Sequence, residues 1–483
     1  MTEKSQAPLF TRLIEHNKNE YQSFHVPGHK GGRVFSSQAK DWFFPLLQLD
    51  QTEVEGLDDL HDPQGVIEQA QRLAAKEFNA MHTFFLVNGT TVGNLAMIMA
   101  TCQEGDVVLV QRNSHKSIHH ALKLAKVYPV YLEPQFEQDI ELTTSVPIRT
   151  VLKAIDKFPN AKALVLTNPT YYGITTNLTE MISVAHSNGI PVLVDEAHGA
   201  HYGIEGPFPS SAISQGADIV TQSAHKTLPA MTMGSYLHFN SRLVSIKKVA
   251  EYLEMLQSSS PSYPIMASLD LARQYRQDLT QEQVSSIYNA TETFRNLLGE
   301  IPQFEVVSLT PESDDEIDPL KVTVRTKCYA SAKKIQKLLE DKGIYTELAS
   351  DIHILFVLPL SVIDYTEVVE RIRQTVESLP PINRVEKMSW QHSNDISDLA
   401  LTYKEMKQYK QRKEHIDKIE GKIAAENVIP YPPGIPLIVE GEKVTATMVK
   451  QIKRLLSAGV SFQGHTKLEH LSIYDTDVER GNS

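Results

Sequence analysis

An α/β protein, with a large domain built on a mainly parallel sheet and smaller α+β domains toward the C terminus, is what the sequence predicts. Three observations predict it. From about residue 80 to about residue 240, short apolar runs alternate with segments of helical period, the pattern of parallel strands joined by crossover helices. Past about residue 290 the rhythm changes to shorter strand and helix pairs. A chain of 483 residues is also too long for one ordinary hydrophobic core, so a large domain with smaller companions is expected.

In order along the chain, the strands of the large domain are expected at TFFLV (83–87), VVLV (107–110), ALVLT (163–167), PVLVD (191–195), DIVTQ (218–222) and SYLHF (235–239). Helical stretches such as SIHHALKLA and LTEMISVAHSNG lie between them, the second stopped by Gly189 as a helix-ending glycine would. The smaller α+β domain reads as strands FEVVSL and LKVTVRT, a helix SAKKIQKLLEDKG, a strand IHILFVLPL and a helix YTEVVERIRQTVESL. The charged stretch YKEMKQYKQRKEHIDKIEGK reads as a solvated helix face with both signs interspersed. It leads through the Pro-rich IPYPPGIPL to a last helix in VTATMVKQIKRLLSAG. The expected division is an N-terminal segment over 1–60, the large domain over 61–290, the small α+β domain over 291–385 and a C-terminal domain over 386–483.

Composition excludes several classes. At 41% hydrophobic and 22% charged residues, the chain fits no disordered, fibrous or membrane class. A net charge of -12 opposes a phosphate backbone, so nucleic acid is not an expected partner. Cys102 and Cys328, far apart, argue against a disulfide framework or a thiolate metal cluster and point to a reducing cytoplasm. The opening MTEKSQAPLFTRLIEHNKNE has no long apolar run after a basic stretch, so neither a signal peptide nor a membrane anchor is expected.

Ligands of such sheets collect beyond the carboxyl ends of the strands, and the polar motifs follow strands. SAHKT (223–227) follows DIVTQ and carries Lys226, whose amine can form an imine with an aldehyde cofactor once deprotonated. A lone lysine is usually a solvated charge; its company raises this one. PVLVDEAHG places Asp195 at the end of an apolar strand, where a buried carboxylate needs a cation, and a protonated pyridine nitrogen is such a cation. The plainer reading of Asp195 is a helix cap. NGTTVGN (88–94) opens a helix, and its backbone amides from Gly89 on, with the hydroxyls of Thr90 and Thr91, would make a phosphate cradle or simple capping. RNSHKSIHH (112–120) presents His115, a flat ring that would stack on a pyridine and move a proton. His115, His119 and His120 could instead form a metal pair or a solvated face, but no carboxylate stands at a suitable spacing and metal ranks last. VDEAH also invites comparison with DEAH helicases; a Gly-Lys-Ser/Thr nucleotide loop is missing from GTTVGN, which decides against them.

Together, FHVPGHKGG (24–32), LDDLHDP (57–63), NGTT, RNSHKS, NPTYYG (168–173), VDEAHG, SAHKTLPAMTMGS and YPPGIP resemble, in order, the ornithine/lysine/arginine decarboxylases. These are pyridoxal-phosphate enzymes of fold type I; here the motifs begin by Phe24, like a short form lacking the N-terminal receiver-like domain of larger relatives. The resemblance implies decarboxylation of arginine, lysine or ornithine to carbon dioxide and the corresponding di- or polyamine. It implies Lys226 holding pyridoxal 5'-phosphate as a Schiff base, Asp195 at the pyridine nitrogen and His115 stacked on the ring. Thr90, Thr91, Ser223 and His225 would bind the phosphate, with Gly89 in the same turn, and His198 would lie beside the ring near the substrate. Ser258 and Ser260 match positions where a partner chain reaches the phosphate, so a homodimer or an assembly of dimers with shared sites is implied. Transamination and a catalytically silent regulatory homologue are the rival readings.

Overall fold

A computed structural model describes residues 6–18, 21–382, 395–431, 436–457, 459–464 and 468–476. The chain forms two units, one from residues 1–101 with 191–284, the other from 102–190 with 285–483.

In the first unit the strands lie in the order His82–Leu86, Ser235–Phe239, Ile219–Gln222, Val192–Asp195. Ile219–Gln222 runs parallel to Val192–Asp195, with Asp195 opposite Thr221. Ser235–Phe239 runs antiparallel to both of its neighbours, a departure from the expected parallel pattern. The segment before it holds only the four-residue helical turn Ala224–Thr227, so no crossover helix returns the chain to a parallel start. Leu193, Val194, Ile219, Val220, Tyr236 and Leu237 are buried, as the unbroken apolar runs require. The helix Gly89–Thr101 lies against this sheet. Gly93 permits the approach: a Cβ there would stand 2.8 Å from the side chains of Leu86 and Thr221. Asp58 starts the helix Val66–Glu77, its Oδ2 accepting from the amides of Gly65 (2.8 Å), Ile67 (2.9 Å) and Glu68 (3.2 Å).

In the second unit Ala163–Thr167, Val107–Gln111 and Tyr128–Leu132 are parallel neighbours in that order, and Ile396–Asp398 adds an antiparallel edge. Tyr128–Leu132 was not among the expected strands. Farther along, Phe304–Val306, Lys321–Thr326, His353–Val357 and Leu348–Ala349 make a four-stranded antiparallel sheet carrying the helices Ala332–Glu340 and Thr366–Val376. The charged stretch corrects the expectation of a solvated helix. It contains a short helix Tyr403–Met406, then the strand Gln411–His415, which pairs along its length with His470–Tyr474. Arg412 and Glu414 alternate in burial with their neighbours, a period of two that the uniformly charged composition concealed. Of the motif YPPGIP, residues 432–435 lie outside the described residues. Among the described residues no helix is long and apolar enough to cross a membrane.

Candidate active site

The strand Val192–Asp195 ends in a carboxylate that is 2% exposed. Asp195 Oδ2 accepts from Asn94 Nδ2 at 2.9 Å, and Oδ1 accepts from the Ala197 amide at 3.1 Å. Thr221 Oγ1 donates to Asn94 Oδ1 at 2.7 Å, which fixes the amide's orientation toward the carboxylate. These partners are neutral, so they orient the charge without cancelling it. A buried carboxylate held this way suits a cationic ligand group such as a protonated ring nitrogen.

Beside it, the strand Ile219–Gln222 passes into the turn Ala224–Thr227. Lys226 projects from that turn, with Nζ 3.0 Å from Nε2 of His198, itself 8% exposed. The Ser223 amide donates to the Ala197 carbonyl at 3.2 Å, tying the lysine turn to the loop that leaves Asp195. The turn also meets the start of the helix Gly89–Thr101. Thr90 Oγ1 is hydrogen-bonded to Ser223 Oγ and donates to Ser235 Oγ at 3.2 Å. Gly89 adopts φ +75°, its amide donates to the Met233 carbonyl at 2.9 Å, and the space where a Cβ would stand is open. Thr91, the third residue of the helix, is exposed. The first-turn amides have no partner inside a helix, so this end offers donors and positive potential to an anion.

His225 Nδ1 donates to the Gly234 carbonyl at 3.0 Å, and burial, followed by the neighbouring Lys226, lowers its pKa. Ser258 and Ser260 sit exposed in the turn after the helix Ile246–Leu256. The Ser258 carbonyl accepts from His61 Nε2 at 2.9 Å, and the adjoining Gln257 accepts from the Val87 amide at 2.9 Å, just before the NGTT turn. Hydrogen bonds thus connect Thr90, Asp195, Ser223, His198 and Lys226 in one network, and the donors, acceptor and amine suit an aldehyde-bearing aromatic phosphate. Asn94 is a member that sequence reasoning missed. Its signal was a polar residue inside the apolar helix VGNLAMIMA, four positions after Thr90.

His115 belongs to the second unit, where it caps the helix Lys116–Ala125. Its Nδ1 accepts from the Ser117 amide at 3.3 Å, so the neutral ring carries its proton on Nε2. His119 is buried, 5.7 Å from the Tyr131 ring, and burial followed by the Arg112 charge pushes its pKa down to about 3. Among the described residues no group of three or more His, Cys, Asp and Glu side chains could hold a metal ion.

Comparison with known proteins points the same way as the geometry. The family model for the Orn/Lys/Arg decarboxylase major domain matches residues 7–365, and the model for its C-terminal domain matches residues 385–470. The uncharacterized protein YaaO of Bacillus subtilis (strain 168) is 48% identical over 96% of this chain and 98% of its own. The arginine decarboxylase of the same strain is 32% identical over 95% of each chain. Among solved structures, lysine decarboxylase A from Pseudomonas aeruginosa superposes with a TM-score of 0.80 at 22% identity, covering 98% of this chain and 81% of its own, a likeness of fold.

Proposed function

The chain belongs to the Orn/Lys/Arg decarboxylase family and is a pyridoxal-phosphate-dependent amino-acid decarboxylase of fold type I; on that premise we propose that it removes the α-carboxylate of arginine, lysine or ornithine at the site around Lys226. Pyridoxal phosphate, when bound, supplies an aldehyde that captures amines and a ring that takes up the electron pair left as carbon dioxide departs. Lys226 Nζ would hold the aldehyde, which requires the amine to give up a proton. His198 Nε2, 3.0 Å away, is placed to accept it and to return it later. Asp195 would keep the ring nitrogen protonated, its carboxylate held in place by Asn94 and the Ala197 amide. Thr90, Thr91, Ser223, His225 and the Gly89 turn would hold the phosphate. A dianion there favours the imidazolium form of His225, which burial otherwise opposes. His115 takes the role of the ring-stacking imidazole on the family pattern.

The observation that carries this reading is the 3.0 Å contact of an amine with an imidazole inside the same network as a buried carboxylate. Arginine is the first substrate to test, because the relative named an arginine decarboxylase matches nearly the whole chain. Purified protein with added cofactor should release carbon dioxide and amine from a basic amino acid, and Lys226→Ala should lose both turnover and the visible absorbance of the bound cofactor. Release of a keto acid in place of carbon dioxide, or full turnover by the alanine variant, would overturn it.

A homodimer, with Ser258 and Ser260 reaching the partner's phosphate, belongs to the same proposal. Phe24 is 91% and Trp42 87% exposed, with Val26, Val34, Phe35 and Phe43 exposed nearby in sequence, a concentration of apolar surface that water disfavours. The pair of variants Phe24→Asp and Trp42→Asp should therefore sediment as monomers and lose turnover, and unchanged dimers would count against this surface. A cytoplasmic setting, as both free cysteines suggest, completes the proposal.

A further inference from the structure

One residue beyond Asp195, Glu196 is completely buried, and its carboxylate turns to a different set of partners. Oε2 accepts from Ser211 Oγ and from Gln222 Nε2, each at 2.6 Å, and Oε1 accepts from the Ala212 amide at 2.7 Å. Gln222 is the last residue of the strand that delivers Ser223 and Lys226. Its orientation is determined by its neighbours. Nε2 faces Glu196 and also the Gly199 carbonyl at 3.2 Å, while Oε1 lies 3.0 Å from His238 Nε2. An amide oxygen only accepts, so His238 Nε2 carries the proton and its Nδ1 accepts from the Thr83 hydroxyl at 2.8 Å. Burial, followed by the Arg276 charge, pushes the His238 pKa down to about 3 and keeps that ring neutral. Each donor from Thr83 to Glu196 therefore meets an acceptor.

On the other side, the chain folds tightly over Glu196. The Gly199 amide donates to the Glu196 carbonyl at 2.8 Å, and a Cβ on Gly199 would stand 2.6 Å from Glu196 Cγ. His198 rides on this short loop and reaches Lys226. Burial pushes the Glu196 carboxyl up to about 7 against the pull of its hydrogen bonds, so the fold retains an acid here at an energetic cost. Buried acids retained in this way beside a catalytic cluster commonly serve it.

We propose that Glu196 is a positioning residue for the reaction: it fastens the loop bearing His198 to the strand end bearing Lys226 and so sets the contact between imidazole and amine. The inference rests on Lys226 being the cofactor lysine. Three donors converge on Glu196, and its carboxylate form accepts from all three. In Glu196→Gln, an amide N–H would face one of these donors, the loop would shift, and His198 would lose its register with Lys226 while Asp195 kept Asn94.

The test is a double-mutant cycle on the cofactor-loaded enzyme with Glu196→Gln and His198→Ala, read in two ways per mole of bound cofactor. One readout is kcat with the preferred basic amino acid, and the other is the rate at which hydroxylamine strips the cofactor from Lys226, followed in the visible band. Glu196→Gln should lower both by roughly tenfold to a hundredfold, the scale of a displacement near 1 Å, with KM little changed. In the His198→Ala background the same substitution should have almost no further effect, because the contact it sets is already gone. A merely structural role would lower the melting temperature or the loaded fraction, yet leave these rates per bound cofactor intact. Equal losses in both backgrounds, or rates within about twofold of wild type, overturn the proposal. Should Glu196→Gln fail to fold, Ser211→Ala removes one donor and is expected to show the same dependence on His198 with a smaller loss; additivity there overturns it equally. Failure of the Lys226 assignment shows itself separately, since cofactor would then remain attached in Lys226→Ala.

Discussion

Asp195 is 2% exposed, and its two partners, Asn94 and the Ala197 amide, contribute only dipoles. On the proposed function, this arrangement would orient the carboxylate for a cation that arrives with the cofactor. Asp195→Asn keeps the size and can still bond to Ala197 through its oxygen, so the fold should survive; the missing charge should cost at least roughly a hundredfold in turnover at saturating cofactor, as loss of a positioned ionic partner does. Turnover near wild type would mean that another group holds the ring proton. Asp195 and Lys226 were singled out in the sequence because Asp195 closes an apolar strand and Lys226 stands in the turn that follows another, where a charge stands out against its surroundings. Asn94 and Glu196 were not. Asn94 meets Asp195 across 101 residues of sequence, and Glu196 meets Ser211 and Gln222 through a fold of the chain, so no local period announces either contact.

Strands and helices followed their local signals wherever burial was uniform. ALVLT and SYLHF became strands with the expected bounds, and Gly189 closes its helix at φ +70°. Pairing overrode propensity in two places: Tyr128–Leu132 with its interior proline, and Gln411–His415, where a run of polar and charged residues is held as a strand by His470–Tyr474. Asp58 shows how an element is started from a distance. It adopts φ +71° and turns its carboxylate onto the first amides of Val66–Glu77. Burial alone would raise its pKa, but the amides of Gln64, Gly65, Asp59 and Glu68 prevail and hold it below the ordinary 3.8. A carboxylate with a depressed pKa adds stability above its unfolded pKa and loses it as pH falls through the folded one. The contribution of Asp58 is thus full at neutral pH and fades only in acid below about 3.8. Asp58→Ala should destabilise the first unit by about 1–2 kcal/mol at pH 7, measured as a lower urea midpoint, and the difference from wild type should shrink toward pH 2. A difference independent of pH over that range would show that the caps act without the charge.

At the scale of the whole chain, a buried ion pair joins residues 330 positions apart in the second unit. Arg112, at the end of Val107–Gln111, and Glu442 are 4% and 2% exposed. Nη1 and Nη2 of the guanidinium meet Glu442 Oε1 and Oε2 at 2.5 and 2.7 Å, and Nη2 also donates to the Leu437 carbonyl at 2.9 Å. Burial works against the arginine's charge, yet Glu442 and then Glu133 outweigh it, so its pKa is raised and it stays cationic. Glu442 also accepts from the Val439 amide at 2.9 Å and from the Ser397 hydroxyl at 3.3 Å, both within the segment proposed as a C-terminal domain over 386–483, while its charge partner follows the strand Val107–Gln111. Desolvating both ions is expensive, and the pair returns that cost only while both members are present. Glu442→Gln, which strands a buried guanidinium, should destabilise the second unit by about 3–5 kcal/mol, whereas Arg112→Met together with Glu442→Met should recover much of that loss. Urea unfolding of the three proteins, with the second unit reported by hydrogen exchange in Val107–Gln111, decides the matter. If the double variant is no more stable than Glu442→Gln, the penalty comes from lost packing and the ion pair is not what joins the C-terminal segment to the strand end.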